Sequence, residues 1–208
     1  MDMADTLAML LGSPTRVKVL KLFVFNTGTP FGFEEIKDRT RENSSKIRTE
    51  LNLAEKIGLV KRKSFARHVE KRVRKRKVIK RIKVKGWILN DNFAELIPLQ
   101  TFLVTAGRLG PKEVIRKLAK AGSLKLIAIA GVFIQEPESR VDLLVVGDHL
   151  KRSVLETAIK SIESEMGKEI RYSIFDTQDF LYRQGIYDKL IREILDFPHE
   201  KVLNKLDI

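Results

Sequence analysis

A dense run of cations is the residue pattern with the clearest chemical meaning. Residues 61–85 contain fourteen of the chain's forty Lys and Arg residues and a single acid, Glu70. This segment alone accounts for the net charge of +13, because the remaining residues carry equal numbers of bases and acids. So dense a local surplus predicts contact with a phosphate backbone. The residues expected to hold phosphates are Arg72, Arg74, Lys75, Arg76 and Lys77. A solvated charged loop is the alternative.

A second set of polar residues lies on a predicted helix just before this run. Asn43 or Ser44 can cap the helix, and apolar residues then recur at helical spacing at Ile47, Leu51, Ala54 and Ile57. That stripe leaves the other side of the helix in solvent. The residues expected there, whose types read base edges and phosphates, are Ser45, Lys46, Arg48, Thr49 and Asn52.

Other chemistry finds little support in the sequence. The chain has no cysteine, and His68, His149 and His199 are too far apart in sequence to indicate a metal cluster. The glycines match neither a phosphate-binding loop nor a dinucleotide fingerprint. No apolar run approaches the roughly 20 residues of a membrane span, and the first eleven residues are acidic rather than basic. We therefore expect a cytoplasmic protein that binds no membrane and needs no cofactor.

The elements of the first ninety residues follow from caps and periodicity. Ser13 and Pro14 begin a helix to about residue 25, and a second, short helix covers 33–39. Gly58 ends the third helix, and from Leu59 the apolar period changes to two. In the second strand Val78, Ile82, Val84 and Ile88 alternate with Lys77, Arg81, Lys83 and Lys85. This alternation predicts a hairpin with one basic face.

Three short helices followed by a basic hairpin resemble a winged helix-turn-helix. The run ELNLAEKIGLVKRKSF, from Glu50 to Phe65, is similar to the passage from recognition helix to wing in that family. The resemblance covers about residues 10–90. It implies that the third helix enters the major groove of DNA and that the wing contacts the backbone or the minor groove.

The segment after the hairpin is expected to form a kinked linker helix. An apolar stripe, interrupted by Pro98, comprises Phe93, Leu96, Ile97, Phe102 and Leu103. Such a stripe either packs on its own domain or forms the seam of a homodimer. Pro111 then begins another helix.

The C-terminal half predicts an α/β arrangement. Short apolar runs at 124–130, 141–146 and 170–175 indicate strands, and the stretch 155–166 indicates a helix between the last two. Two further helices are expected at 177–183 and 187–195. The run SRVDLLVVGD, which follows a strand, a glycine and an acidic loop, resembles the nucleotidyltransferase fold of the polymerase-beta type, over about residues 112–205.

That resemblance also implies which catalytic groups to look for. Active members carry a Gly-Ser pair after the first strand and two aspartates, one residue apart, that hold two Mg²⁺ ions. Here Val132 follows Gly131, Arg140 occupies the first aspartate position, and only Asp142 remains. No acid lies between Arg171 and Phe175 to serve as the third carboxylate. We therefore expect no catalytic residue. Asp142 stays a residual metal candidate or a structural residue, and Arg140 a possible anion ligand.

The sequence as a whole predicts an α+β protein in three parts. A winged helix-turn-helix covers 1–90, a linker helix 91–111, and a degenerate nucleotidyltransferase-like domain with a small mixed sheet 112–208. The order resembles that of small prokaryotic transcriptional regulators, and implies double-stranded DNA as the partner. The alternatives are an active nucleotidyltransferase, an RNA-binding protein, and an interaction protein of the toxin-neutralising nucleotidyltransferase kind.

Overall fold

The computed structural model describes the backbone of residues 3–73, 76–136 and 138–208. Within these ranges, side chains are described except at residues 3–5 and 69–78. The chain divides into two compact units, residues 1–107 and 108–208. Each unit has its own hydrophobic core, and each combines helices with a small sheet. The general α+β class predicted from the sequence is therefore confirmed.

The first unit begins with four helices. They are α1 (Met3–Leu11), α2 (Pro14–Val24), α3 (Phe33–Thr40) and α4 (Ser44–Lys56). The predicted caps are present, because the Ser13 hydroxyl accepts from the Arg16 amide at 3.1 Å and the Asn43 side chain accepts from the Lys46 amide at 3.0 Å. The apolar sides of α2, α3 and α4 meet in one core, where Phe23, Ile36, Ile47 and Leu51 are fully buried.

A three-stranded antiparallel sheet follows these helices. The short strand β1 (Phe31–Gly32) pairs with β3 (Arg76–Leu89), which pairs in turn with β2 (Val60–Val73). The root of the sheet belongs to the core through Val60, Trp87 and Leu89. Because β1 is only two residues long, most of β2 and β3 forms a two-stranded ribbon, which confirms the predicted hairpin.

The exit from α4 corrects one core position. Ile57 was expected to face inward, but 52% of its surface is exposed. The helix ends at Lys56, and Gly58 adopts a left-handed conformation with φ +79°. This turn changes the direction of the chain, so that Leu59 takes the buried position instead.

The register of the ribbon corrects the prediction of one basic face. Opposite residues of an antiparallel pair share a face, and successive residues alternate. Arg67 lies on one face, which we call the Arg67 face, and Arg62 lies on the other, the Arg62 face. Odd-numbered residues of β2 share the Arg67 face with even-numbered residues of β3, and the other residues share the Arg62 face. Cations occur in both groups, so both faces are basic. Lys61, Lys63 and Lys80 are on the Arg67 face, and Arg81, Lys83 and Lys85 on the Arg62 face.

The segment after the ribbon forms a helix that begins three residues after the start of its apolar stripe. Helix α5 runs from Leu96 to Ala106, within the first unit. Pro98 is its third residue, so the missing amide falls in the first turn, where no intrahelical partner exists, and does not interrupt the helix. Leu103 is buried against the core, whereas Ile97 is exposed.

The second unit alternates helices and strands. Its elements are α6 (Pro111–Leu118), β4 (Ser123–Ile129), β5 (Leu143–Asp148), α7 (Arg152–Met166), β6 (Tyr172–Phe175), α8 (Thr177–Gly185), α9 (Lys189–Leu195) and β7 (Glu200–Asn204). The strand order is β6-β5-β4-β7. Strands β5 and β6 are parallel and joined through α7, while β4 is antiparallel to both of its neighbours.

The four-stranded sheet is covered on both sides. One core packs α6 and α7 against it through Val114, Leu118 and Ile159, and a second core contains Phe180 and Ile194 of α8 and α9. This double burial explains why β4 and β5 are nearly continuous apolar runs. Across the described parts of both units, no helix has the length and apolar character to cross a bilayer.

Candidate nucleic-acid interface

The outer side of α4 presents the polar residues that its periodicity predicts. Ser45, Lys46, Arg48, Thr49 and Asn52 are all exposed. The Thr49 hydroxyl donates to the Ser45 carbonyl at 3.2 Å. The Arg48 guanidinium carbon lies 4.3 Å from the centre of the Phe33 ring, so the side chain is partly ordered by stacking while its donors remain available.

Two ion pairs fix α4 on the helices beneath it. Glu50, which is buried, accepts from Arg16 at 2.8 Å. Glu42, just before the helix, accepts from Lys18 at 2.7 Å and from the Thr15 hydroxyl at 3.1 Å. Burial raises the pKa of Glu42, but the hydrogen bond and charge of Lys18 outweigh this effect, so that the pKa is lowered overall. Glu42 is therefore held in its charged form.

A second cluster joins the end of α4 to the root of the ribbon. The Arg62 Nε donates to both oxygens of Glu55, at 2.9 and 3.0 Å, and the Trp87 indole donates to the same carboxylate at 3.2 Å. The Arg62 guanidinium also stacks 4.5 Å from the centre of the Trp87 ring. These hydrogen bonds, first that of Arg62 and then that of Trp87, lower the pKa of Glu55. The cluster attaches the Arg62 face to α4.

The opposite face of the ribbon is attached to α3. Arg67 lies 3.0 Å from a carboxylate oxygen of Glu35. By register, Arg62 and Arg67 lie on opposite faces, so a helix carboxylate contacts each face near its root. The root of the ribbon is therefore attached to α4 on one face and to α3 on the other.

Most of the described cations on the ribbon have no internal counter-charge. Among the described residues, the ion pairs of the ribbon are those of Arg62 and Arg67. The remaining cations with described side chains are exposed, and they are Lys61, Lys63, Lys80, Arg81, Lys83 and Lys85. Of the predicted phosphate ligands, Arg74 and Lys75 lie outside the described residues, and so do the side chains of Arg72, Arg76 and Lys77. The paired strands place residues 72 and 77 opposite each other.

Asp142, the residual metal candidate, is fully occupied by the protein itself. Its carboxylate is 1% exposed. It accepts from the amides of Val132 at 3.0 Å and Arg171 at 2.8 Å, and from the Arg171 guanidinium at 3.0 and 3.1 Å. A Cβ on Gly131, whose φ is +53°, would overlap one of these oxygens. The arrangement ties together three chain segments and leaves no open coordination position.

Arg140, the possible anion ligand, lies in acidic surroundings. It contacts Glu193 at 3.2 Å beside a cleft of about 190 Å³. The cleft is lined by Glu136, Glu138 and Glu193, so its carboxylates outnumber the single guanidinium and disfavour an anion. Among the described residues, no group of three or more acidic, His or Cys side chains could hold a metal ion.

Sequence reasoning missed the residues that hold this surface in place. Glu35, Glu55 and Trp87 come from different elements, so their spacing in the sequence gives little indication that they contact the ribbon cations. The acid at 55, seven residues before Arg62, is the only local signal.

Comparisons of the chain with protein-family models, curated proteins and solved structures found no match.

Proposed function

We propose that this protein binds double-stranded DNA through α4 and the ribbon, as a transcriptional regulator. The observation that carries the proposal is the set of exposed cations without an internal counter-charge, among the described residues, on a ribbon whose root is attached to α4 through Arg62 and Glu55. Phosphate neutralisation supplies affinity, and side chains of α4 supply sequence preference. The order of three helices and a basic hairpin, with caps at Ser13 and Asn43, supports a winged helix-turn-helix.

In this proposal the second unit does not transfer nucleotides. Its arrangement of β4, β5, α7 and β6 supports the resemblance to a nucleotidyltransferase core, but Asp142 is saturated by Arg171 and by two amides. A metal ion would have to break these bonds before it could bind. The proposed role of this unit is therefore dimerisation or contact with a partner.

The test is binding of fluorescent duplex DNA at increasing salt, after selection of a preferred site from randomised duplex and RNA pools. With about six phosphates neutralised, log affinity should fall with log salt at a slope near −5. A shallow slope of about −1 would contradict the proposal. Preferential recovery of RNA from the pools would instead favour the alternative of RNA binding.

A further inference from the structure

Among the described residues, the ribbon carries cations without an ion-pair partner on both of its faces, and this limits how it can contact a polyanion. Lys63 and Lys80 lie on the Arg67 face, and Arg81 and Lys85 on the Arg62 face. All four are exposed. A ribbon lying flat against one phosphate backbone would use the cations of one face only. Cations on both faces fit a ribbon that stands between two rows of phosphates.

The length of the ribbon sets how much of a duplex groove it can cover. The pairing of β1 with β3 ends at Gly32 and Gly86. Beyond this point, residues 64–73 of β2 pair only with residues 76–85 of β3. Ten residues at about 3.3 Å each extend about 33 Å. One turn of B-form DNA rises about 34 Å along its axis, and the groove that winds around this axis is longer, so the ribbon covers less than one turn of the groove.

The thickness of the ribbon selects among the grooves. Sheet layers pack about 10 Å apart, so a single layer with its side chains is about 10 Å thick. The major groove of B-form DNA is about 12 Å wide and the minor groove about 6 Å. The major groove of A-form RNA is deep and narrow. Of these three grooves, only the major groove of B-form DNA is wide enough to hold the ribbon between its two rows of phosphates.

We infer that the ribbon lies in the major groove of B-form DNA, with its two faces toward the phosphates of opposite strands. This inference rests on the proposed DNA binding and adds the groove and the orientation to it. It differs from the backbone or minor-groove contact that the winged-helix resemblance implies for a wing.

Two matched double variants test the orientation. Lys63→Ala with Lys80→Ala removes two charges from the Arg67 face, and Arg81→Ala with Lys85→Ala removes two from the Arg62 face, at similar distances from the root. If both faces meet phosphates, each double variant should flatten the salt slope by nearly 2, at about 0.9 per contact. If one double variant flattens the slope and the other leaves it unchanged, the ribbon lies flat and the inference is wrong.

Methylation interference tests the groove. Guanine N7 lies in the major groove and adenine N3 in the minor groove. Replacing residues 65–84 by Asn-Gly keeps the root pair of Ser64 and Lys85 and closes it with a two-residue turn. Comparison with the wild type should show loss of N7 interference within a stretch of less than one turn of DNA. Loss of N3 interference instead would overturn the inference.

The outcomes separate the inference from the proposed function. If the wild type binds duplex DNA with a steep salt slope but only one double variant changes that slope, the proposed function is supported and the inferred orientation is rejected. Wild-type protein without salt-dependent duplex binding loses both. If the shortened ribbon fails to fold, as circular dichroism would show, the two double variants still decide the orientation.

Discussion

The Arg171 guanidinium contacts both carboxylate oxygens of Asp142, at 3.0 and 3.1 Å, although 29 residues separate them in sequence. Arg171 is half exposed while Asp142 is almost fully buried. The exposed guanidinium therefore neutralises the buried charge of Asp142. The amides of Val132 and Arg171 donate the other two hydrogen bonds to this carboxylate. Hydrogen bonding by Asp142 also raises the pKa of Arg171.

Removing this carboxylate should destabilise the second unit. We expect Asp142→Ala to lower the free energy of unfolding by about 3 kcal/mol, since it removes a buried carboxylate and leaves the Val132 and Arg171 amides without this acceptor. Urea unfolding followed by circular dichroism measures this. Arg140→Ala, at an exposed ion pair, is the control and should cost less than about 1 kcal/mol.

The same variant also separates a structural aspartate from a catalytic one. Labelled nucleoside triphosphates with Mg²⁺ should label neither the wild type nor the Asp142→Ala variant. Label on the wild type that disappears in a folded Asp142→Ala variant would make Asp142 a metal ligand and would contradict the structural role.

The close approach of Gly131 to Asp142 predicts a second loss of stability. Gly131→Ala should destabilise the protein by at least about 2 kcal/mol, because a side chain at φ +53° is strained and its Cβ would overlap the carboxylate. Thermal unfolding measures the change. Gly185→Ala is the matched control, because its Cβ would meet open space and its φ is not positive. Equal effects of the two variants would contradict the close contact.

The tip of the ribbon should supply a large part of the salt dependence. The triple variant Arg74→Ala, Arg76→Ala and Lys77→Ala should flatten the slope of log affinity against log salt by about 2 to 3. Fluorescence anisotropy with duplex DNA measures the slope. The control removes the same charge elsewhere, at the exposed residues Lys112, Lys120 and Lys160, and should leave the slope unchanged. An unchanged slope in the tip variant would remove the tip from the interface.

The outer side of α4 should determine sequence preference rather than general affinity. We expect Asn52→Ala to lose about 1 to 3 kcal/mol of discrimination between the preferred and a random duplex, because an amide that pairs with a base edge reads that base. Lys80→Ala should weaken binding to both duplexes equally. Competition binding with the selected site measures the ratio. Equal weakening by Asn52→Ala would place this residue against phosphate instead.

The lowered pKa of Glu42 predicts a contribution to stability that depends on pH. A carboxylate whose pKa is lower in the folded than in the unfolded protein stabilises the fold above its unfolded pKa, and this contribution is lost as the pH falls through the folded value. At neutral pH, Glu42→Gln should cost about 1 to 2 kcal/mol. In urea unfolding at several pH values, the difference between wild type and variant should shrink in acid. A constant difference would contradict the ion pair with Lys18.

Helices α2, α3 and α4 could be predicted from the sequence because their signals are local, whereas α1 was not predicted. The caps at Ser13 and Asn43 and the apolar spacing of α4 each depend on residues a few positions apart. Ile57 continues that spacing but lies beyond the end of the helix. The left-handed conformation of Gly58 turns the chain there, so that Leu59 and not Ile57 is buried in the core. Periodicity alone does not contain this change of direction.

Other features depend on pairings between distant residues. The face to which each ribbon cation belongs follows from the register of β2 against β3, and the alternation in β3 alone suggested a single basic face. The strand β7 was not predicted, because it is a short edge strand with an irregular register against β4. The bonds of Arg171 to Asp142 likewise join segments that have no shared sequence signal.

The position of Trp87 gives the protein a built-in optical reporter. It is the only tryptophan in the chain, and its ring is covered by Arg62 at the root of the ribbon. Indole emission responds to the polarity and charge around the ring, so a ligand that draws Arg62 away from Glu55 will alter the spectrum. Engagement of the ribbon can thus be followed in unlabelled protein and timed by stopped flow.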